Sequence, residues 1–77
     1  MQLNQVQSWF EAGRLKEAII EPSPKGNGWR VEFKDAKGHL VTLTTQDEEE
    51  KLFKNLDAAT TLTKRIGFRF VRVEEAF

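Results

Sequence analysis

Apolar residues fall first at helical and then at strand spacing along this chain. Val6, Trp9 and Phe10 stand three and four positions apart, which predicts a short amphipathic helix near the start. Asn4 is placed to cap its unpaired backbone N–H groups, and Leu3 just before it to pack back on the helix as a staple. Gly13 supplies a left-handed stop.

Strand patterns follow. Residues 15–21 end in the β-branched pair Ile19 and Ile20 just before Pro22, and predict a first strand. Residues 22–27, with two prolines and a glycine, read as a surface turn. Residues 29–34 alternate most clearly: Trp29, Val31 and Phe33 share one face, and Arg30, Glu32 and Lys34 the other. Residues 35–38 make a turn with Gly38 where a positive φ is wanted, and residues 39–45 return as the antiparallel partner.

Residues 46–66 allow two readings. In one, Leu52, Leu56, Ala59, Leu62 and Ile66 line a single helix over 48–66, with Asp47 and Glu50 at capping-box spacing. In the other, residues 47–50 turn, residues 51–53 form a short strand, and a new helix starts after Asn55 with Asp57 at its positive end. The second is preferred. Both stop at Gly67, and residues 68–74 close the chain as a strand. The fold class is therefore α+β: two layers in a single domain spanning 1–77, in the order α-β-β-β-(β)-α-β, with a mainly antiparallel sheet.

Composition narrows the chemistry. The 77 residues make one small domain, of a size that buries only about 60% of its unfolded surface. The absence of cysteine excludes disulfide frameworks, thiolate metal sites and cysteine nucleophiles. Twelve Lys and Arg balance twelve Asp and Glu, so no global field draws nucleic acid or membrane. No apolar run is long enough to span a bilayer and the opening residues lack a secretion-signal layout, so the expected compartment is the cytoplasm.

The faces carry more information than the totals. Ile19 with Ile20, Leu40 with Val41, and Phe70 with Val71 are adjacent pairs, so one member of each must point away from the helical layer. That pattern predicts a second apolar sheet face suited to a protein partner or a second copy, with Trp29, Val71 and Val73 as candidate interface residues. Lys64, Arg65, Arg69 and Arg72 gather four positive charges at the border of that face. They fit a phosphate backbone, an acidic protein surface, or the plainer role of cations at a helix C-terminus and on a solvated face.

The remaining motifs point to no reaction. Gly67, Phe68, Phe70 and Val71 partly echo the aromatic strand of RNA-recognition modules, where exposed rings stack on bases. Ile66, Arg69 and Val73 depart from it, as does the element order, so a closing strand with Phe68 and Phe70 in the core is the better expectation. Residues 25–28 lack the glycine spacing and following helix of a phosphate loop, and residues 47–50 lack the ligand spacing of a calcium loop. His39 has no second histidine for a metal and no neighbouring hydroxyl as nucleophile. No cofactor, metal or catalytic residue is expected.

One resemblance spans most of the chain. The run 13–16 with Ala18, Ile20, Pro22 and Pro24, then residues 26–29, and later residues 53–59 with 66–68, is similar to a group of small, mostly uncharacterised bacterial proteins, often plasmid-borne and in part labelled partition-associated. What matches is turns and core positions, with no functional motif to carry over. The resemblance implies a cytoplasmic bacterial accessory protein in plasmid maintenance or an allied role, and it favours the separate short strand before the last helix. The faces and the resemblance together give the expected function: a non-enzymatic module of such an accessory protein that binds another protein, or a second copy of itself, through the sheet face. The alternative is a nucleic-acid-binding accessory factor using Lys64, Arg65, Arg69 and Arg72.

Overall fold

A computed structural model describes residues 1–75. Two helices lie on one face of a four-stranded sheet, the α+β architecture expected. The elements are α1 (Leu3–Glu11), β1 (Leu15–Pro22), β2 (Trp29–Asp35), β3 (Leu40–Thr42), α2 (Leu56–Ile66) and β4 (Val71–Val73). The strand order is β3-β2-β1-β4. The pairs β1–β2 and β2–β3 are antiparallel, whereas β4 returns across the helical layer to lie parallel to β1.

The helix ends show how local chemistry sets the boundaries. Gln2, rather than Asn4, is the N-cap residue of α1, with the Gln5 side chain accepting from the Gln2 N–H at 2.9 Å. The cap moves because Met1 and Gln2 run beside Thr44, whose N–H donates to the Met1 carbonyl at 2.8 Å. Leu3 thereby becomes the first helical residue and stays partly exposed instead of stapling the helix. The end is as expected: past Ala12, the Arg14 N–H reaches the Trp9 carbonyl at 2.9 Å, with Gly13 at φ +74°. Asn55 caps α2, its Oδ1 accepting from the Ala58 N–H at 2.8 Å.

Phe53 decides between the two readings of residues 46–66. Its N–H donates to the Trp29 carbonyl at 2.8 Å, and its carbonyl accepts from the Trp29 N–H at 2.9 Å. A residue so paired cannot also sit inside a helix running from 48. The short strand reduces to this isolated antiparallel bridge, preceded by another between Thr44 and Glu50 and followed by the new helix. Gly28 makes the approach possible, since a Cβ there would lie 2.7 Å from the Phe53 carbonyl oxygen.

One contiguous core fills the space between the layers. Ala18 and Ile20 of β1, Val31 and Phe33 of β2, Val6 of α1, and Ala59 and Ile66 of α2 meet there, joined by Leu15, Leu43 and Phe68. Thr63 is also buried, its hydroxyl donating to the Thr60 carbonyl at 2.8 Å. Both end strands are shorter than the pattern implied. Beyond Thr42 the chain bends inward to bury Leu43, and Thr44 pairs with Met1 instead of β2. Ahead of β4, Phe68 turns into the core, with its ring 5.6 Å from Phe33 and 4.6 Å from Phe10.

Candidate interaction surface

The sheet face away from the helices is charged apart from Leu40 on the edge strand β3, which is 53% exposed, and this overturns the expected continuous apolar face. Side chains alternate, and the register places Glu17, Ile19 and Glu21 of β1 there, with Arg30, Glu32 and Lys34 of β2 and Arg72 of β4. Glu17 binds Arg72 at 3.2 Å and approaches Lys34 at 3.8 Å, and Arg72 Nε binds Glu74 at 3.0 Å. Ile19, between its register partners Glu32 and Arg72, is only 2% exposed. An isolated isoleucine among long charged side chains is covered by their aliphatic stems. It forms no apolar patch.

Arg30 organises the other end of this face. Its Nε donates to Glu21 at 2.7 Å and its Nη1 to Glu50 at 3.1 Å, while the Ser23 hydroxyl donates to the second Glu50 oxygen at 3.0 Å. Burial pushes the Glu32 carboxyl up to about 7, helped by its hydrogen bond with Glu21 and by the negative charge there. The hydrogen bond from Glu32 holds Glu21 below the ordinary carboxylate range against the effect of burial, with Arg30 adding to it. Below about pH 7 Glu32 therefore carries a proton that it can share with the ionised Glu21. No buried side-chain nitrogen or oxygen among the described residues lacks a partner.

The unsatisfied surface is the outer edge of β4. The Glu74 N–H donates to the Ile20 carbonyl at 2.8 Å, which sets the alternation: Arg72 and Glu74 turn their backbone groups toward β1, and Val71 and Val73 turn theirs outward. Among the described residues no strand pairs with that edge. Phe70, at its start, is 86% exposed, and Val73 is 41% exposed. A shallow pocket of ≈ 320 Å³ adjoins Phe70, lined by Phe10, Leu15 and Phe68 and rimmed by Lys16 and Arg69.

Compared with protein-family models, curated proteins and solved structures, this chain matches none.

The residues singled out from sequence are redistributed by the fold. Val71 and Val73 are register partners of the core residues Ala18 and Ile20, so they lie on the helical side of the sheet. Trp29 shares the core side with Val31 and Phe33 and packs half-buried against them, so it contributes nothing to the open face. Phe68 enters the core as expected but Phe70 does not, because the turn that buries Phe68 leaves its neighbour outside the strand. The four cations form no single patch. Lys64 and Arg65 occupy the last turn of α2, Arg69 lies in the following loop, and Arg72 sits on the opposite face of the sheet, engaged by two carboxylates.

Two other features carry titratable groups or open space. His39 lies 3.2 Å from Asp35 but is 72% exposed on the turn before β3. Against desolvation, the backbone N–H groups of His39 and Lys37 and the His39 ring hold the Asp35 carboxyl below its usual value, as in a self-bonded turn. A wider groove of ≈ 820 Å³ opens between the start of α1, Leu62 and residues 43–53, with Leu43 and Phe53 on its floor and Lys51 at its side. Sequence reasoning missed this groove, because its walls come from segments far apart in the chain. Among the described residues no helix is long and apolar enough to cross a membrane.

Proposed function

We propose that this chain is a non-enzymatic, cytoplasmic protein-interaction module that works by adding a strand to the outer edge of β4. One observation carries the reading. The outward N–H and C=O groups of Val71 and Val73 form a ladder that no strand among the described residues pairs with, directly beside a phenylalanine exposed to 86%. An extended segment laid along that edge satisfies the ladder, and its side chains reach the pocket walled by Phe68 and Phe70. Backbone pairing supplies affinity, and the pocket, with Lys16 and Arg69 at its rim, selects an apolar side chain near an acidic one. The charged sheet face acts as a solvated back that keeps the module from stacking face to face. The resemblance to plasmid-borne accessory proteins supports plasmid maintenance as the setting.

Proline gives a selective test. At Val73 the backbone N–H points outward, so Val73→Pro leaves the β1–β4 bonds in place while removing a donor that an added strand needs. Phage-displayed extended peptides selected against the chain, with the Val73→Pro variant as counter-selection, should enrich alternating apolar sequences carrying an acidic residue. Equal recovery on both proteins contradicts the reading.

A further inference from the structure

We infer that the strand received by the β4 edge is β4 of a second copy of this chain, related by a two-fold axis perpendicular to the sheet and centred on Val73. This rests on the strand-addition reading above and names its occupant.

The argument is one of register. In an antiparallel pair of β4 strands, residues whose backbone groups point outward must face one another, which restricts the axis to a residue position. Centring on Arg72 sets that guanidinium opposite its own copy, and centring on Glu74 does the same with two carboxylates. Like charges directly opposite oppose pairing. Centring on Val71 requires residues 68 and 69 to extend along the edge, whereas Phe68 is buried against Phe10 and Phe33. Only Val73 sets unlike charges together.

In that register Arg72 faces the partner's Glu74, and Glu74 faces the partner's Arg72, both on the open side of the sheet. Within one chain Arg72 Nε already binds Glu74 at 3.0 Å, so the second copy extends an existing pair into a four-charge network. On the helical side, Val73, 41% exposed in the single chain, packs against its own copy. The helices pack against β1 and β2, which leaves β4 accessible from that side. Two four-stranded sheets then become one continuous eight-stranded sheet, and neither copy retains an open β4 edge. The paired segment is short, so the dimer belongs to the weak class and fills as concentration rises.

The chain has no cysteine, so single-cysteine variants report the axis directly. A hydrogen-bonded antiparallel pair holds its Cα atoms about 5.5 Å apart, within disulfide reach. Residues displaced two positions from their copies lie beyond about 7 Å, outside that reach. Under mild oxidation at high concentration, V73C should therefore form a covalent dimer at least ~10-fold faster than R72C. Equal rates, or a faster R72C, overturn the register. Sedimentation equilibrium up to millimolar chain should show a monomer–dimer equilibrium. R72E and E74R should each weaken it by about 10-fold, and the R72E/E74R double variant should recover most of the loss. Failure of the exchange to recover association in a protein with native circular dichroism overturns the charge pairing. A chain that stays monomeric while peptides still enrich against Val73→Pro overturns the second copy but leaves strand addition standing. A monomer with no enrichment removes both.

Discussion

Of the two outer edges of the sheet, that at β3 is partly occupied by Met1, whereas that at β4 meets no strand among the described residues. At β3, the Met1 nitrogen donates to the Thr42 carbonyl at 3.0 Å and to the Thr44 hydroxyl at 3.1 Å, and the Met1 carbonyl accepts from Thr44. At β4, no strand among the described residues meets the outward groups of Val71 and Val73. Both strands are three residues long, so length does not separate them. The difference lies in what the chain brings alongside. A small sheet ordinarily shortens, charges or covers its edges to avoid chance pairing. Here one edge is partly covered, and the other keeps Phe70 and Val73 beside backbone that no strand meets among the described residues, which is the opening the proposed strand addition would use.

The largest way to break this contrast is to detach β4. Phe68 anchors the approach to that strand by stacking on Phe33 and packing at a tilt against Phe10. Phe68→Ala should lower unfolding free energy by about 3–5 kcal/mol in urea titration, with β4 losing amide protection before β3. Next comes the turn that aims the chain. A Cβ on Gly67 would lie 2.5 Å from Cε2 of Phe10, and its φ is +132°. Gly67→Ala should therefore cost about 1–3 kcal/mol in the same titration.

A third prediction concerns the charged face and leaves both edges intact. Glu32 titrates near 7 in the folded chain and near 4.5 when unfolded. Between those values the folded state holds a proton that the unfolded state has lost, so stability falls as pH rises from about 4.5 to about 7. Glu21, held below its ordinary value, contributes stability that is lost only at lower pH, as its carboxylate protonates. Glu32→Gln should remove the fall between pH 5 and 7 and stabilise the chain at pH 8 by about 1–2 kcal/mol. A pH profile unchanged by this substitution contradicts the proton assignment.

The smallest effect compares the edges most sharply. Thr44→Pro removes an N–H that binds the Met1 carbonyl and should cost about 1 kcal/mol. Val73→Pro removes an N–H with no partner among the described residues and should cost about 0.5 kcal/mol or less. Equal losses in chemical denaturation would mean that the two edges do not differ as described.

Much of the fold was legible because local and tertiary signals agree. The alternation from Trp29 to Phe33 and the cap at Asn55 each name their element and its boundary. The glycine stop at Gly13 closes α1 where expected. The site was less legible. Adjacent apolar residues such as Ile19 and Ile20 require one to face outward, but sequence cannot show that charged stems from three strands cover Ile19. Nor does it give the parallel pairing of β4 to β1, which decides that Val71 and Val73 face the helices and that Arg72 meets Glu17. Phe68 and Phe70 look equivalent by alternation, and only the turn after Gly67 separates a core ring from an exposed one.

The central claim is that the β4 edge is unpaired in the single chain and pairs on association, and residue-resolved amide exchange at low and high chain concentration tests it most directly. In dilute solution the Val71 and Val73 amides should exchange almost as fast as unprotected ones, while the Thr44 amide, bound to the Met1 carbonyl, should be protected. At millimolar concentration, or with a selected peptide, Val71 and Val73 should gain protection and Thr44 should not change. Protection at Val71 and Val73 already present in the dilute chain, or none gained with concentration or peptide, would contradict the account.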